Sequence, residues 1–301
     1  MQELKRLLAI TGWLALASVG NAVAQTDSLP AEPQAQSPAA ESVQGEVQSK
    51  SAEKAAERRK AIIREAVTAL QKSNEALAAL DAGKKDEALA ALEIVTGKLE
   101  LILARDPDLA FAPVDVKVVT YDLLASTDTV KAIIHDAEDY LDDGEIQKAR
   151  PLVSALASEI QVRETSIPLA TYPEAVKGVV KLIDEDKLDE AREALQLALN
   201  TVVTRTVDVI PLPKLRAERL LANAEKLAEN KDRTAADEQT LKDLLAEARR
   251  QLELAQLLGY GDKKAYEPMY EQLDSIEQKV AEGKSGKGWF DRLKEQLEAL
   301  A

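Results

Sequence analysis

Along most of this chain apolar residues recur every three or four positions with charges between them, the spacing of amphipathic helices. Ile62, Ile63, Ala66, Val67, Leu70, Leu77 and Leu80 predict one helix. It runs to Asp81-Ala82-Gly83, where glycine can take the left-handed C-cap conformation. Ala88, Leu92, Val95, Leu99 and Leu103 predict its partner, from near Lys84 to Asp106-Pro107. The pattern then returns. Ile133, Ile134, Ala137 and Leu141 lead to a turn at Asp142-Asp143-Gly144, followed by a helix carrying Ile146, Ala149, Val153, Leu156 and Ile160. Val176, Val179, Val180 and Ile183 lead to Asp184-Glu185-Asp186, followed by Leu188, Ala191, Leu195, Ala198 and Leu199. Residues 141–150 align without a gap on 183–192, a weak internal repeat of helical hairpins with tight acidic turns. The signature of tetratricopeptide repeats is missing and irregular segments separate the copies, so bundle-like packing is expected rather than an open superhelix.

Those irregular segments have a different period. Val114-Asp115-Val116-Lys117-Val118 alternates every second residue, and Thr201 to Ile210 is strongly β-branched. Both read as extended, with Glu164-Thr165-Ser166-Ile167 as a third candidate, and a small sheet pinning the hairpins together is expected. Pro211 and Pro213 end the last segment and start another helix, with Leu215, Leu220, Leu221, Ala224 and Leu227. Leu241, Leu244, Leu245, Ala248, Leu252, Ala255 and Leu258 predict the next, closed by Gly259-Tyr260-Gly261. Tyr266, Tyr270, Leu273, Ile276 and Val280 line a further helix, and Trp289, Phe290, Leu293 and Leu297 a terminal one. The fold predicted is mainly α: an array of antiparallel helical hairpins with bundle-like packing and a small β element from short extended segments.

The N-terminal residues follow other rules. Lys5 and Arg6 precede an apolar stretch from Leu7 to Gly20, and Ala22-Val23-Ala24 has the small-x-small form of a signal-peptidase site. The stretch is about 14 residues, short of the roughly 20 of a spanning helix. Residues 1–24 are expected to be a cleavable signal peptide, cut after Ala24, that delivers a soluble protein to the periplasm. Cleavage does not expose a cysteine, so no lipid anchor is expected. Residues 25–52 are rich in Ser, Gln, Ala, Pro and Glu and poor in large apolar residues, and are expected to form a disordered leader. Residues 53–301 form the helical domain.

Composition narrows the chemistry. The 301 residues contain no cysteine, which excludes disulfides, thiolate metal sites and cysteine nucleophiles. A net charge of -14 argues against nucleic acid and anionic lipid as partners. The lone histidine, His135, cannot build a multi-histidine metal site; it is either a pH-responsive contact or, the better-supported reading, an ordinary surface residue. The acidic turns lack calcium-loop spacing, and Asp is expected in turns for local reasons. Neither a cofactor nor a metal is expected. Tyr121, Tyr140, Tyr172, Tyr260, Tyr266 and Tyr270 are candidates to line a pocket or interface, although in an Ala-rich protein tyrosines more often fill gaps between helices. Trp289 and Phe290 follow a glycine-rich stretch and would dock on the domain, a second subunit or a client.

Three segments carry a resemblance to a known family. They are Thr120-Tyr121-Asp122-Leu123-Leu124 with Thr127 and Thr129; Ile210-Pro211-Leu212-Pro213; and Ala248-Arg249-Arg250-Gln251-Leu252-Glu253-Leu254-Ala255, running into Leu258-Gly259-Tyr260-Gly261. In order and spacing they resemble the YfdX family of bacterial periplasmic proteins, over roughly residues 55 to 300. The resemblance implies a helical homo-oligomer linked to acid, heat and drug tolerance, and supplies no catalytic residues. The function expected is therefore non-enzymatic: a stress-tolerance protein, binding or chaperone-like, whose partners are proteins or stressed clients. The alternatives are a small-molecule binder, with its ligand held near the extended segments, and a scaffold that recruits other periplasmic proteins.

Overall fold

The computed structural model describes residues 36–300. The expected signal peptide and residues 25–35 of the expected leader lie outside the described residues. From Pro38 onward the leader expectation does not hold. Residues Pro38–Ser42 form α1 and Gln44–Arg59 form α2. Ser37 caps α1 by accepting the Ala40 amide, and Pro38 sits in its first turn, where a missing N–H is tolerated. The segment is nearly free of large apolar residues, yet Ala40, Val43, Val47 and Ala55 are all buried. They fall on the side that meets the rest of the protein, so a few small side chains anchor a helix too polar to fold alone.

Each of three helical hairpins is followed by a strand. α3 (Arg64–Asp81) and α4 (Lys85–Arg105) lead into β1 (Phe111–Tyr121). α5 (Thr127–Asp142) and α6 (Ile146–Ala155) lead into β2 (Glu159–Pro168). α7 (Tyr172–Asp184) and α8 (Leu188–Asn200) lead into β3 (Val203–Pro211). The strands form an antiparallel sheet in the order β1-β2-β3, with Tyr121 opposite Glu159 and Ser166 opposite Val203. Two differences from the sequence reading have local causes. Ile62 and Ile63 lie between α2 and α3, where the Ile63 amide donates to the Pro113 carbonyl and ties the linker to β1. Ile160 is in β2 rather than a helix. α6, which contains Pro151, ends at Ala155, and Ile160 pairs with Thr120 on one side and Ile210 on the other. The second hairpin is therefore short, and β2 is the longer for it.

Register decides which helices meet. Phe111 opposes Pro168, so the hairpins before β1 and after β2 emerge at the same end of the sheet. There α3, α4, α7 and α8 form a four-helix bundle around Ala69, Leu92, Leu99, Val176, Ile183 and Leu195. At the other end β3 runs into α9 (Leu212–Glu229), with Pro213 in its first turn. α9, α10 (Ala235–Leu257), α11 (Glu267–Ala281) and α12 (Asp291–Ala299) enclose a second core that includes Leu220, Leu245, Leu252, Leu273 and Phe290. α2 lies against the sheet, where Val47 meets Ile160, Leu212 and Leu215.

The internal repeat is visible in the hairpin turns. Gly83, Gly144 and Asp186 all have positive φ, at 68°, 76° and 63°. In each the amide of the following residue bonds back across the turn: Lys84 to Ala79, Glu145 to Tyr140 and Lys187 to Leu182. The alignment matches Gly144 with Asp186, and aspartate is one of the few residues that tolerates this region. Asp186→Val is expected to lose about 1–2 kcal/mol of unfolding free energy in urea titrations, because a β-branched side chain collides with the backbone there. Asp186→Gly should lose nothing.

Candidate functional site

β1 ends at Tyr121, and the chain crosses to α5 through residues 122–126. This crossing, residues 36–37 just before α1, the start of α5 and the facing sides of α9 and α10 line a partly open cavity of about 300 Å³. Its walls are apolar in part, with Leu123, Leu124, Ala125 and Leu254. Its floor is not. Arg216 of α9 and Glu247 and Gln251 of α10 line it, and all three are buried.

Each charge in this floor has a partner. Arg216 donates from Nη1 to Asp122 Oδ1 at 2.9 Å and from Nη2 to Asp122 Oδ2 at 2.6 Å, a bidentate pair. Gln36 donates to the same carboxylate at 3.2 Å. Arg250 grips Glu247 through Nε at 2.9 Å and Nη2 at 2.5 Å, and Gln251 donates to Glu247 Oε1 at 2.7 Å. Burial pushes the Glu247 carboxyl up, but the hydrogen bonds from Arg250 and Gln251 and the Arg250 charge outweigh it, so its pKa lies below the usual value. The folded state thus holds this proton less tightly than the unfolded chain. Its stabilisation is complete above about pH 4.5 and disappears as pH falls through the lowered folded value. A Glu247→Gln variant is expected to show a shallower loss of stability on the acid side, measured as urea midpoints between pH 7 and 3.

Two polar atoms of the floor are left over. Among the described residues Arg216 Nε and Gln251 Oε1 are buried without a hydrogen-bond partner. Above them is the N-terminus of α5, where Ser126 accepts the Thr129 amide. The first-turn amides of Thr127 and Asp128 have no acceptor within the helix. The site is thus a small compartment with unspent donors and an unspent acceptor, beside two internally neutralised ion pairs. Among the described residues no cluster of acidic or histidine side chains could hold a metal ion.

The aromatic candidates are placed elsewhere. Tyr121 and Tyr140 are at the surface, Tyr121 accepting from Arg163 at 2.8 Å and Tyr140 lying 5.4 Å beneath Lys148 Nζ. His135 is exposed on α5, 3.5 Å from Asp139. Tyr172 is enclosed in the first bundle, and burial pushes its hydroxyl pKa up. Tyr260, Tyr266 and Tyr270 do come together. Tyr266 and Tyr270 stack with centroids 6.4 Å apart, and the Tyr266 hydroxyl, pushed up to about 12 by burial, donates to the Tyr260 carbonyl. The Tyr260 hydroxyl donates to Glu159 at 2.9 Å and accepts the Ser158 amide at 3.0 Å, which ties the Gly259–Gly261 turn to the start of β2. Phe290 is buried in the second core, and Trp289 packs over Gly286 beside Lys279. None of these groups lines the cavity.

Sequence reading missed Arg216, Glu247 and Gln251 as a group. A signal was present. Arg216 falls on the apolar face of α9, four residues from both Leu212 and Leu220, and Glu247 and Gln251 are four apart between Leu244 and Ala255. A charged residue on a core stripe needs a partner, and a helical pattern alone does not name it. The three motifs quoted for the family resemblance do converge here. Asp122, Leu123, Leu124 and Thr127 come from the first, the second starts the helix that carries Arg216, and Arg250, Gln251 and Leu254 come from the third.

This is a mainly helical protein of paired hairpins with a three-stranded antiparallel sheet, and none of its described helices is long and apolar enough to cross a membrane. A family model described as YfdX protein matches residues 69–208, and over that segment the chain is similar to the YfdX family. Among solved structures, Salmonella Typhi YfdX is similar over 50% of this chain and 91% of its own, with 14% identity and a TM-score of 0.34. No curated protein matches.

Proposed function

We propose that this chain is a non-catalytic binding protein of the bacterial periplasm that holds a small polar molecule in the compartment between α1, α5, α9 and α10. The observation that carries this reading is a cavity of about 300 Å³ whose lining residues Arg216 and Gln251 each hold a buried polar atom, Nε and Oε1, without a partner. A buried polar atom without a partner is costly, and a bound molecule would remove that cost. The volume is at the low end for ligand pockets, which restricts the occupant to a small molecule. Thermal-shift screening of sugars, polyols, amino acids and nucleosides tests the reading. At least one class should stabilise the protein and lose its effect in Ala125→Phe, which fills the compartment. If no class does so, the reading fails.

A second reading, chaperone-like action in stress tolerance, is favoured by the α5–α6 hairpin. α6 buries only Ala149, while Ile146 is 61% exposed, Val153 52% and Leu141 49%. Such a face would hold unfolding clients. Suppression of thermal aggregation by the parent chain, abolished in Ile146→Ser/Val153→Ser, is the expected result. Absence of protection, or protection undiminished by the substitutions, rules it out.

A further inference from the structure

The charges and free hydrogen-bonding atoms of the compartment specify the class of molecule it would take. We infer that the ligand is a small zwitterion of the free amino acid type, its carboxylate directed to Arg216, Arg250 and the N-terminus of α5, and its ammonium to Gln251. This rests on the reading of the compartment as a binding site.

Three observations point to it. The first is charge. Arg216 is paired with Asp122 and Arg250 with Glu247, so these four groups together carry no net charge. An anion or a cation entering beside these pairs would be unbalanced, whereas a zwitterion adds no net charge. The second is the distribution of donors. Arg250 uses Nε and Nη2 on Glu247, which leaves Nη1 free. Arg216 keeps its Nε–H, and the Thr127 and Asp128 amides stand at the positive end of a 16-residue helix. The third is the acceptor. The Gln251 side chain is fixed by donating its amide N–H to Glu247, so the oxygen left without a partner can only accept. Donors and an acceptor in one small space match a molecule that carries both a carboxylate and an ammonium. Leu123, Leu124 and Leu254 supply an apolar surface for a side chain.

Calorimetric titration of the full chain tests this with three solutes of one carbon skeleton. They are L-leucine, L-leucinamide, which lacks the carboxylate, and 4-methylpentanoate, which lacks the ammonium. Glycerol and a small sugar serve as neutral comparisons. Leucine is expected to bind, and each single-charge analogue about tenfold more weakly or worse, since a hydrogen bond to a charged group contributes about 1.5–3 kcal/mol. Gln251→Leu should weaken leucine and leave 4-methylpentanoate unchanged. Arg250→Lys, which keeps the charge beside Glu247, should weaken leucine and 4-methylpentanoate but not leucinamide. Circular dichroism confirms that each variant is folded. Binding of a neutral or singly charged solute as tight as leucine overturns the inference but leaves the binding-site reading standing, provided Ala125→Phe abolishes it. If no solute in the set binds and the wider thermal-shift screen is also empty, both fall.

Discussion

Asp122→Ala is expected to destabilise the protein by about 3–5 kcal/mol, the range for removing one partner of a buried ion pair. The reason is asymmetry. The Arg216 side chain is 2% exposed and that of Asp122 is 25% exposed. Without Asp122 the guanidinium remains charged and buried, with only a 3.5 Å contact to Gln44 to compensate. The reverse change, Arg216→Met, leaves a carboxylate that water can reach and fills the vacated space with an apolar chain of similar length. Its cost should be smaller, about 1–2 kcal/mol. Urea denaturation of both single variants and the double variant measures this. Asp122→Ala should shift the midpoint most, and the double variant should fall closer to Arg216→Met. Equal costs for the two single variants would show that the pair is solvated like a surface ion pair, and the account of the floor would have to change.

Phe290→Ala is expected to cost about 3–5 kcal/mol, as for other large-to-small changes at fully enclosed aromatic positions. Phe290 is 1% exposed and packs in the second core beside Leu293, Leu297 and Leu300. Its loss would also loosen α12, which is otherwise fixed to α9 by Lys294 reaching both oxygens of Glu225 at 2.9 Å. Trp289, next to it, is half-buried, and its carbonyl rather than its ring accepts from Gln272. Trp289→Ala should cost about 1 kcal/mol, since only part of its area leaves water on folding. Paired thermal and urea unfolding distinguishes the two. The sequence allowed this pair to dock on the domain, a second subunit or a client. Phe290 docks on its own chain.

These outcomes depend on how much of the structure a one-dimensional pattern contains. The hairpins were legible because helix periodicity and turn chemistry are local. Leu92, Val95 and Leu99 face one way whatever they meet, and Gly144 and Asp186 occupy turns that demand positive φ. The strands were legible through β-branched content, although β2 was read as too short, because Ile160 also fits the helical spacing of α6. Residues 38–52 were misread for the opposite reason. Their helical order depends on Ala40, Val43 and Val47 meeting surfaces contributed by α9, α10 and the sheet, and small residues in a polar segment give no signal of their own.

The binding compartment lies at the limit of that reading. Sequence by itself determined a mainly helical hairpin array with a small sheet, an acidic and cysteine-free composition, and motifs that resemble one family. The tertiary structure alone decided that Asp122 meets Arg216 across 94 positions, and that Glu247, Arg250 and Gln251 meet the start of α5. Strand register places the β1–α5 crossing beside the start of α9, and register depends on pairing between distant segments. A helix face shows that a charge will be buried. Only the packing of separate elements supplies the partner that makes burial tolerable and leaves two polar atoms unmatched.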